Sequence, residues 1–200
     1  MGEPHPEWAS LVHAEHDVDH AALTWLTSGL GSRSGQRPIV LDVGCGPGLP
    51  LDRMLLDAGL DVVAVDDSPV AVDTARESIP EAIHMERDLY DLDGLHPVGD
   101  RFDAGVSLFA LAAMSRRDID RTLTEIHNVL APGAPFLLAM PEGTGEQQPH
   151  EFFGESVPQT AFDRQGLEEM LERNGFTVLQ VRPARQGDGH VDLYARCLTR

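Results

Sequence analysis

Asp42, Gly44, Gly46 and Gly48 stand at alternate positions in VLDVGCGPGLPL, residues 40–51, directly after an apolar run. A strand made of Ile39, Val40, Leu41 and Val43 that runs into a glycine turn, and then into a helix started at Pro50, forms a cradle. Glycine takes positive φ without strain, and a ligand approaches it without meeting a Cβ. A dinucleotide fingerprint would need glycine at position 49, which is Leu49. A phosphate-binding P-loop would need Gly-Lys-Ser/Thr, and the chain contains no lysine. Nothing in the packing of a generic strand-turn-helix asks for three alternate glycines here. About 20 residues beyond the turn, DVVAVDD closes a second apolar run with acid, and Asp66 at its carboxyl end is placed to accept from both hydroxyls of a ribose. Ser68 and Pro69 already supply a cap and a start for the next helix, so Asp66 is not needed there.

The pattern acid-x-Gly-x-Gly-x-Gly resembles motif I of the class I S-adenosylmethionine-dependent methyltransferases, and VVAVDDS is similar to their second segment. The resemblance implies that Gly44, Cys45, Gly46 and Gly48 lie against the methionine part of S-adenosyl-L-methionine, with Asp42 helping to hold its amino group. It also implies Asp66 on the ribose, Asp67 beside the adenine, and Asp88 and Leu89 of ERDLYDL on the adenine amino group and ring nitrogen. FDAGVSLFALAAM, residues 102–114, is similar to the fourth strand and its sequel, which implies Ser107 and Phe109 at the methionine end or the acceptor. Ala112 and Ala113 stand where many relatives carry histidines. LAPGAPFLLAM resembles the turn and fifth strand. The four segments come in the family's order and cover roughly residues 38–182. The type is similar to small-molecule enzymes of quinone biosynthesis and natural-product pathways.

The elements that must hold these residues follow from periodicity. Residues 7–28 predict one amphipathic helix, with Trp8, Leu11, Val12, Val18, Ala22, Trp25 and Leu26 on one face and Gly29 and Gly31 at its end. His13, His16 and His20, with Asp17 beside them, share a flank at metal-ligand spacing; the family needs no metal there and none is assigned. The resemblance implies that this segment lids the cofactor cleft. Residues 1–36 thus read as a helical cap and linker, and 37–200 as the methyltransferase domain. Leu51, Met54, Leu55 and Ala58 keep helical spacing up to Gly59. Helices are also expected from Pro69 to before Pro80, from Ser115 with a capping box to Asp118, and from Asp163 to Asn174. Short strands are expected at 82–85 and 134–140. FTVLQVRP and HVDLYARCL, joined by ARQGDG, read as an antiparallel hairpin. The fold class is α/β: a Rossmann-like, doubly wound, seven-stranded sheet with a C-terminal hairpin, in a single domain. Residues 141–162 read as a long polar loop, where relatives place substrate-contacting segments. His150, Phe152, Phe153 and Glu155 are its ionisable and aromatic cluster.

Composition limits the partners. The 200 residues are 42% hydrophobic with a net charge of −18. No apolar run approaches the ~18 residues of a membrane helix, and the N-terminus has no basic region followed by an apolar one, so no membrane association and a cytoplasmic location are expected. An acidic surface repels phosphate backbones, and Arg116-Arg117 is the only adjacent basic pair, so no nucleic acid is expected. Cys45 and Cys197 are too few for a metal knuckle, and no disulfide is expected. The expected activity is methyl transfer to an oxygen, nitrogen or carbon nucleophile of a small-molecule acceptor, by a monomer or homodimer. His150 is the first choice for a general base, with His20 and Glu155 behind it. SLFA stands where nucleic-acid enzymes carry Asn/Asp-Pro-Pro-aromatic, and the paired glutamates of protein-arginine enzymes are absent. The alternative is a domain that binds S-adenosylmethionine without methyl transfer, as a cyclase-like or regulatory partner.

Overall fold

In the computed structural model, residues 18–31, 35–95, 101–152, 155–185 and 191–200 are described. Strands β1 (Ile39–Val43), β2 (Asp61–Asp66), β3 (Ile83–Glu86), β4 (Ala104–Leu108) and β5 (Pro135–Pro141) pair in parallel in the order β3-β2-β1-β4-β5. Apart from Asp42 and Ser107, the buried residues of the inner strands β1, β2 and β4 are apolar on both faces, as a sheet covered on both sides requires. After β6 (Gln148–Phe152) and β7 (Glu155–Gln159), the chain adds β8 (Phe176–Arg185) and β9 (Val191–Thr199). β9 lies antiparallel to β5, and β8 closes the edge antiparallel to β9. The seven-stranded sheet with its C-terminal hairpin is therefore as the sequence predicts.

The strand order reverses between β1 and β4, because the chain moves outward through β2 and β3 and then returns. Ligands of open α/β sheets bind outside the carboxyl ends at such a reversal. The glycine turn, Asp66 and Phe109 all stand there. Helices cover the two faces. Leu41 and Val43 of β1 face a core shared with α4 (Arg116–Val129) and α5 (Arg164–Arg173). Val40 faces the opposite core, with α1 (His20–Thr27) and α2 (Leu51–Asp57). A further helix, α3 (Pro69–Ser78), starts from the Ser68 cap, whose hydroxyl accepts from Ala71 N. A single 3-10 turn, Ala110–Ala113, follows β4.

Two expectations change. The helix predicted over 7–28 does not run through residue 19: Asp19 is extended and its carboxylate accepts from Ala21 N (2.9 Å) and Ala22 N (3.1 Å), so α1 starts at His20. Asp19 also pairs with Arg182 of β8, while Arg196 of β9 donates to the Ala21 carbonyl and lies over the Trp25 ring. These tertiary contacts override the amphipathic periodicity at that point. His20 therefore does not continue a helix from His16; Trp8, Leu11, Val12, His13, His16 and Asp17 lie outside the described residues. The long loop, in turn, contains a two-stranded sheet, β6 against β7, with His150 opposite Val157 and Pro149 opposite Pro158. Prolines hide such a ribbon from sequence reading, yet a two-stranded ribbon consists only of edges and tolerates them. Its base is fixed to the 3-10 turn: Thr160 N donates to Ala112 O (2.8 Å), Thr160 Oγ1 to Met114 O (2.6 Å) and Gln147 Nε2 to Ala113 O (3.0 Å).

The Ser115 hydroxyl accepts from Asp118 N (3.2 Å) at the start of α4 and donates to Asp118 Oδ2 (2.6 Å). Ser115→Ala is expected to cost about 1 kcal/mol, read as a lower urea midpoint at unchanged slope.

Candidate active site

The turn after β1 is held by its own amides. Gly44 N (2.8 Å) and Cys45 N (3.1 Å) both donate to Val65 O at the end of β2, and Gly48 N donates to Cys45 O (3.0 Å). Gly46 N donates to Asp66 Oδ2 (2.8 Å). With these four N–H groups engaged inside the protein, the turn is not a nest for an anion. Carboxylates stand around it, Asp66 at the end of β2 and Asp42 beneath, and they repel an anion further.

Asp66 is half-buried, and its second oxygen, Oδ1, accepts from Ser68 N (2.9 Å). Two backbone amides thus fix the carboxylate plane, and each oxygen keeps lone-pair capacity for a hydroxyl. Burial raises its pKa above 3.8; the Ser68 and Gly46 amides pull it back, and the Asp67 charge adds to the rise. Asp67 itself is exposed beside it.

The glycines correct the expectation that packing does not require them. Gly44 has φ +77°, and a Cβ there would lie 2.0 Å from Ala110 Cβ. Gly48 has φ +79°, and its Cβ would meet Asp52 Oδ2 at 2.9 Å and His84 Nε2 at 3.3 Å. The fold itself uses the space at both.

Asp42 is 1% exposed, and neither of its oxygens has a hydrogen-bond donor among the described residues. Its carboxyl faces that of Asp52 from α2, whose Oδ2 lies 2.9 Å from His84 Nε2. Burial first, then the charge of Asp52, push the Asp42 pKa well up. The cross-strand register explains the cluster: Asp42 pairs with Ala64, and Ala64 with His84, so the three share one face. Sequence reading missed Asp52 and His84, because one reads as an ordinary first-turn acid and the other as a lone histidine in a short strand. Asp42 so buried presents little contact surface to a ligand.

The remaining candidates are placed as follows. Cys45 is buried, with its Sγ 3.4 Å from Gly46 O, and burial pushes its thiol pKa far up. Ser107 is fully buried and its hydroxyl donates to Val43 O (2.8 Å), tying β4 to β1. Phe109, at φ +63°, is left-handed without being glycine. Its ring lies edge-on to Tyr194, and its N–H donates to Ala139 O. Asp88 is exposed, with Oδ1 accepting from Tyr90 N (2.8 Å), and Arg87 holds its loop through the Asp91 and Asp93 carbonyls. Leu89 is buried, its Cδ1 3.7 Å from a Cβ built on Gly44. His150 is half-buried on β6, so it sits on the ribbon anchored beside the site and not in the glycine turn. The side chain of Glu155 lies outside the described residues, and His20 is exposed at the start of α1.

A family model described as a methyltransferase domain matches residues 40–133. An uncharacterized methyltransferase of Synechocystis is 30% identical over 148 residues, 70% of this chain and 68% of the relative. The chain belongs to the class I S-adenosylmethionine-dependent methyltransferases. The magnesium-protoporphyrin O-methyltransferase of Rhodobacter capsulatus is 35% identical over 108 residues, 50% of this chain. The chain spans about half the length of that relative, 48%. The crystal structure of a magnesium protoporphyrin IX methyltransferase from Synechocystis with bound SAM has a TM-score of 0.69 at 16% identity, covering 100% of this chain and 87% of that one. The residues present fit the family's cofactor. S-adenosylmethionine carries a ribose diol, and the Asp66 carboxylate, fixed by the amides of Gly46 and Ser68, keeps lone pairs of the kind a diol donates to.

The raised pKa of Asp66 sets the pH response. Its folded value lies above the unfolded one, so it stabilises the fold when protonated, and that contribution is lost as pH rises through the raised value. Affinity for a ribose diol has the opposite sign, since only the ionised carboxylate accepts from both hydroxyls. On acidification from neutrality, cofactor affinity is expected to fall above the 3.8 of an ordinary aspartate, and Asp66→Asn to flatten that limb in calorimetric titrations.

Proposed function

We propose that this protein transfers a methyl group from S-adenosylmethionine to an oxygen, nitrogen or carbon nucleophile of a small metabolite. The observation that carries this reading is Asp66, oriented by the amides of Gly46 and Ser68 at the strand-order reversal beside a turn with no free anion nest. Asp42, Gly44, Cys45, Gly46, Gly48, Asp66, Asp67, Asp88, Leu89, Ser107 and Phe109 make up the proposed cofactor surroundings. Asp66 is the residue that touches the ribose; the Gly44–Gly48 carbonyls face the amino end, and Ser107 and Asp42 act from beneath. The bound cofactor supplies a methyl group already activated by a sulfonium. What is left to the protein is alignment and exclusion of water, and positioning can contribute roughly 7–11 kcal/mol of the barrier.

The relatives that match in sequence are methyltransferases by name, so the alternative of a binder without methyl transfer is not favoured. The small-molecule acceptor is part of the proposal, as is a cytoplasmic monomer or homodimer that does not act on nucleic acid. The net charge of −18 supports the last point. Among the described residues no helix is long and apolar enough to cross a membrane. A hydroxyl acceptor requires a base, and His150 is proposed for it, since the ribbon that carries it is fastened to the turn packed on Gly44.

Calorimetric titration with S-adenosylmethionine is expected to show saturable binding, weakened at least about tenfold in Asp66→Ala, since hydrogen bonds to a charged group contribute about 1.5–3 kcal/mol. Wild-type protein that does not bind would overturn the reading. His150→Ala is expected to lower kcat by roughly 100-fold at unchanged cofactor affinity; unchanged turnover removes His150 from the role.

A further inference from the structure

β3 ends at Glu86, and its ladder with β2 runs one bond further: Arg87 N donates to Asp66 O (2.9 Å), the backbone of the acid proposed for the ribose. From there residues 88–95 curl around the Arg87 side chain. Its Nε donates to Asp91 O (2.7 Å) and its Nη2 to Asp93 O, with the Asp91 carboxylate 3.6 Å from Nη2. Arg87 is the only basic residue from 86 to 95, among Glu86, Asp88, Asp91 and Asp93. One planar fork that holds two carbonyls at once therefore sets the curvature of the loop. A lysine, as a single ammonium, does not reproduce that fork.

The rest of the loop is pinned by the buried side chains of Leu89, Leu92 and Leu95, and by Arg121 of α4 over the Tyr90 ring (5.2 Å). Asp91 N donates to Asp88 O (3.0 Å), and Asp88 Oδ1 accepts from Tyr90 N (2.8 Å). Two adjacent groups are left over. Among the described residues, Asp88 Oδ2 has no donor and Leu89 N–H has no acceptor. An acceptor beside a donor complements the Watson–Crick edge of adenine, which carries an amino donor beside a ring-nitrogen acceptor. Hypoxanthine reverses both, with a carbonyl beside a ring N–H.

Position agrees with that chemistry. Neighbouring strands lie roughly 4.8 Å apart, so a nucleoside whose diol meets Asp66 at the end of β2 has the glycine turn of β1 on one side and the end of β3 on the other. With the amino-acid end on the turn, the base falls to β3. We propose that Arg87 is a positioning residue for base recognition: by holding the Asp91 and Asp93 carbonyls together it keeps the loop in the curve that presents Asp88 Oδ2 and Leu89 N–H to adenine and disfavours hypoxanthine. This rests on the reading of the strand-order reversal as the cofactor site. Arg87 itself touches neither the base nor the reacting atoms.

Calorimetry with S-adenosylhomocysteine and S-inosylhomocysteine reads the effect, because their affinity ratio cancels everything the two nucleosides share, including any general loss of stability. Wild type is expected to bind the adenine form at least about tenfold tighter, and Arg87→Ala to bring the ratio to within about threefold of unity. Arg87→Lys, which keeps the charge without the fork, is expected to lower the ratio at least about threefold. An Arg87→Lys variant with the wild-type ratio overturns the role of the fork, and it decides the matter even if Arg87→Ala does not fold. An unchanged ratio in Arg87→Ala, or a wild type that binds both nucleosides equally, overturns the proposal while the cofactor site stands. A wild type that binds neither nucleoside overturns the cofactor reading and the proposal with it.

Discussion

The carbonyl of Val65 is the fixed point of the site. It accepts from both Gly44 N and Cys45 N, and the next residue, Asp66, accepts from Gly46 N, so two successive residues of β2 hold three successive amides of the turn. From the other side, the Ser107 hydroxyl holds the Val43 carbonyl at the root of the same turn. The loop is therefore clamped by both neighbouring strands before any ligand arrives. The clamp also disfavours an anionic ligand, since amides engaged in the protein cannot receive a phosphate.

Close approach is the second requirement, and small residues meet it. Gly44 admits Ala110, which brings the segment after β4 against the turn; Gly48 admits the Asp52–His84 pair. Phe109 takes a left-handed backbone that costs of order 1 kcal/mol or more, and it is held there by a strand hydrogen bond and by Tyr194. The same 3-10 turn anchors the β6–β7 ribbon through Thr160 and Gln147. Turn, post-strand segment and ribbon form a continuous series of contacts leading from the glycine turn to the strand that carries His150.

Legibility in the sequence followed range. Asp66, the glycine turn, the Ser68, Ser115 and Asp163 caps and the C-terminal hairpin were readable because each depends on local spacing or on apolar runs. Asp19 was not, since the contacts that stop α1 there come from Arg182 and Arg196, far along the chain. The ribbon was hidden by Pro149 and Pro158, which weigh against strands unless both strands are edges. The glycines were read as room for a ligand, whereas the structure fills the space at Gly44 and Gly48 with its own side chains. Ser107 shows the same limit: its place near the site was readable, but the direction of its hydroxyl depends on β1 lying beside β4.

The overall charge of −18 acts from a distance, and magnitudes limit what it does. Surface charges are screened over about 8–10 Å at physiological salt, so a general acidic surface mainly affects encounter with a charged ligand. A carboxylate with no solvent access, sitting under the turn, is not screened in that way. The His84 hydrogen bond to Asp52 offsets part of its burial cost. The surface acidity therefore governs solubility and the exclusion of polyanions.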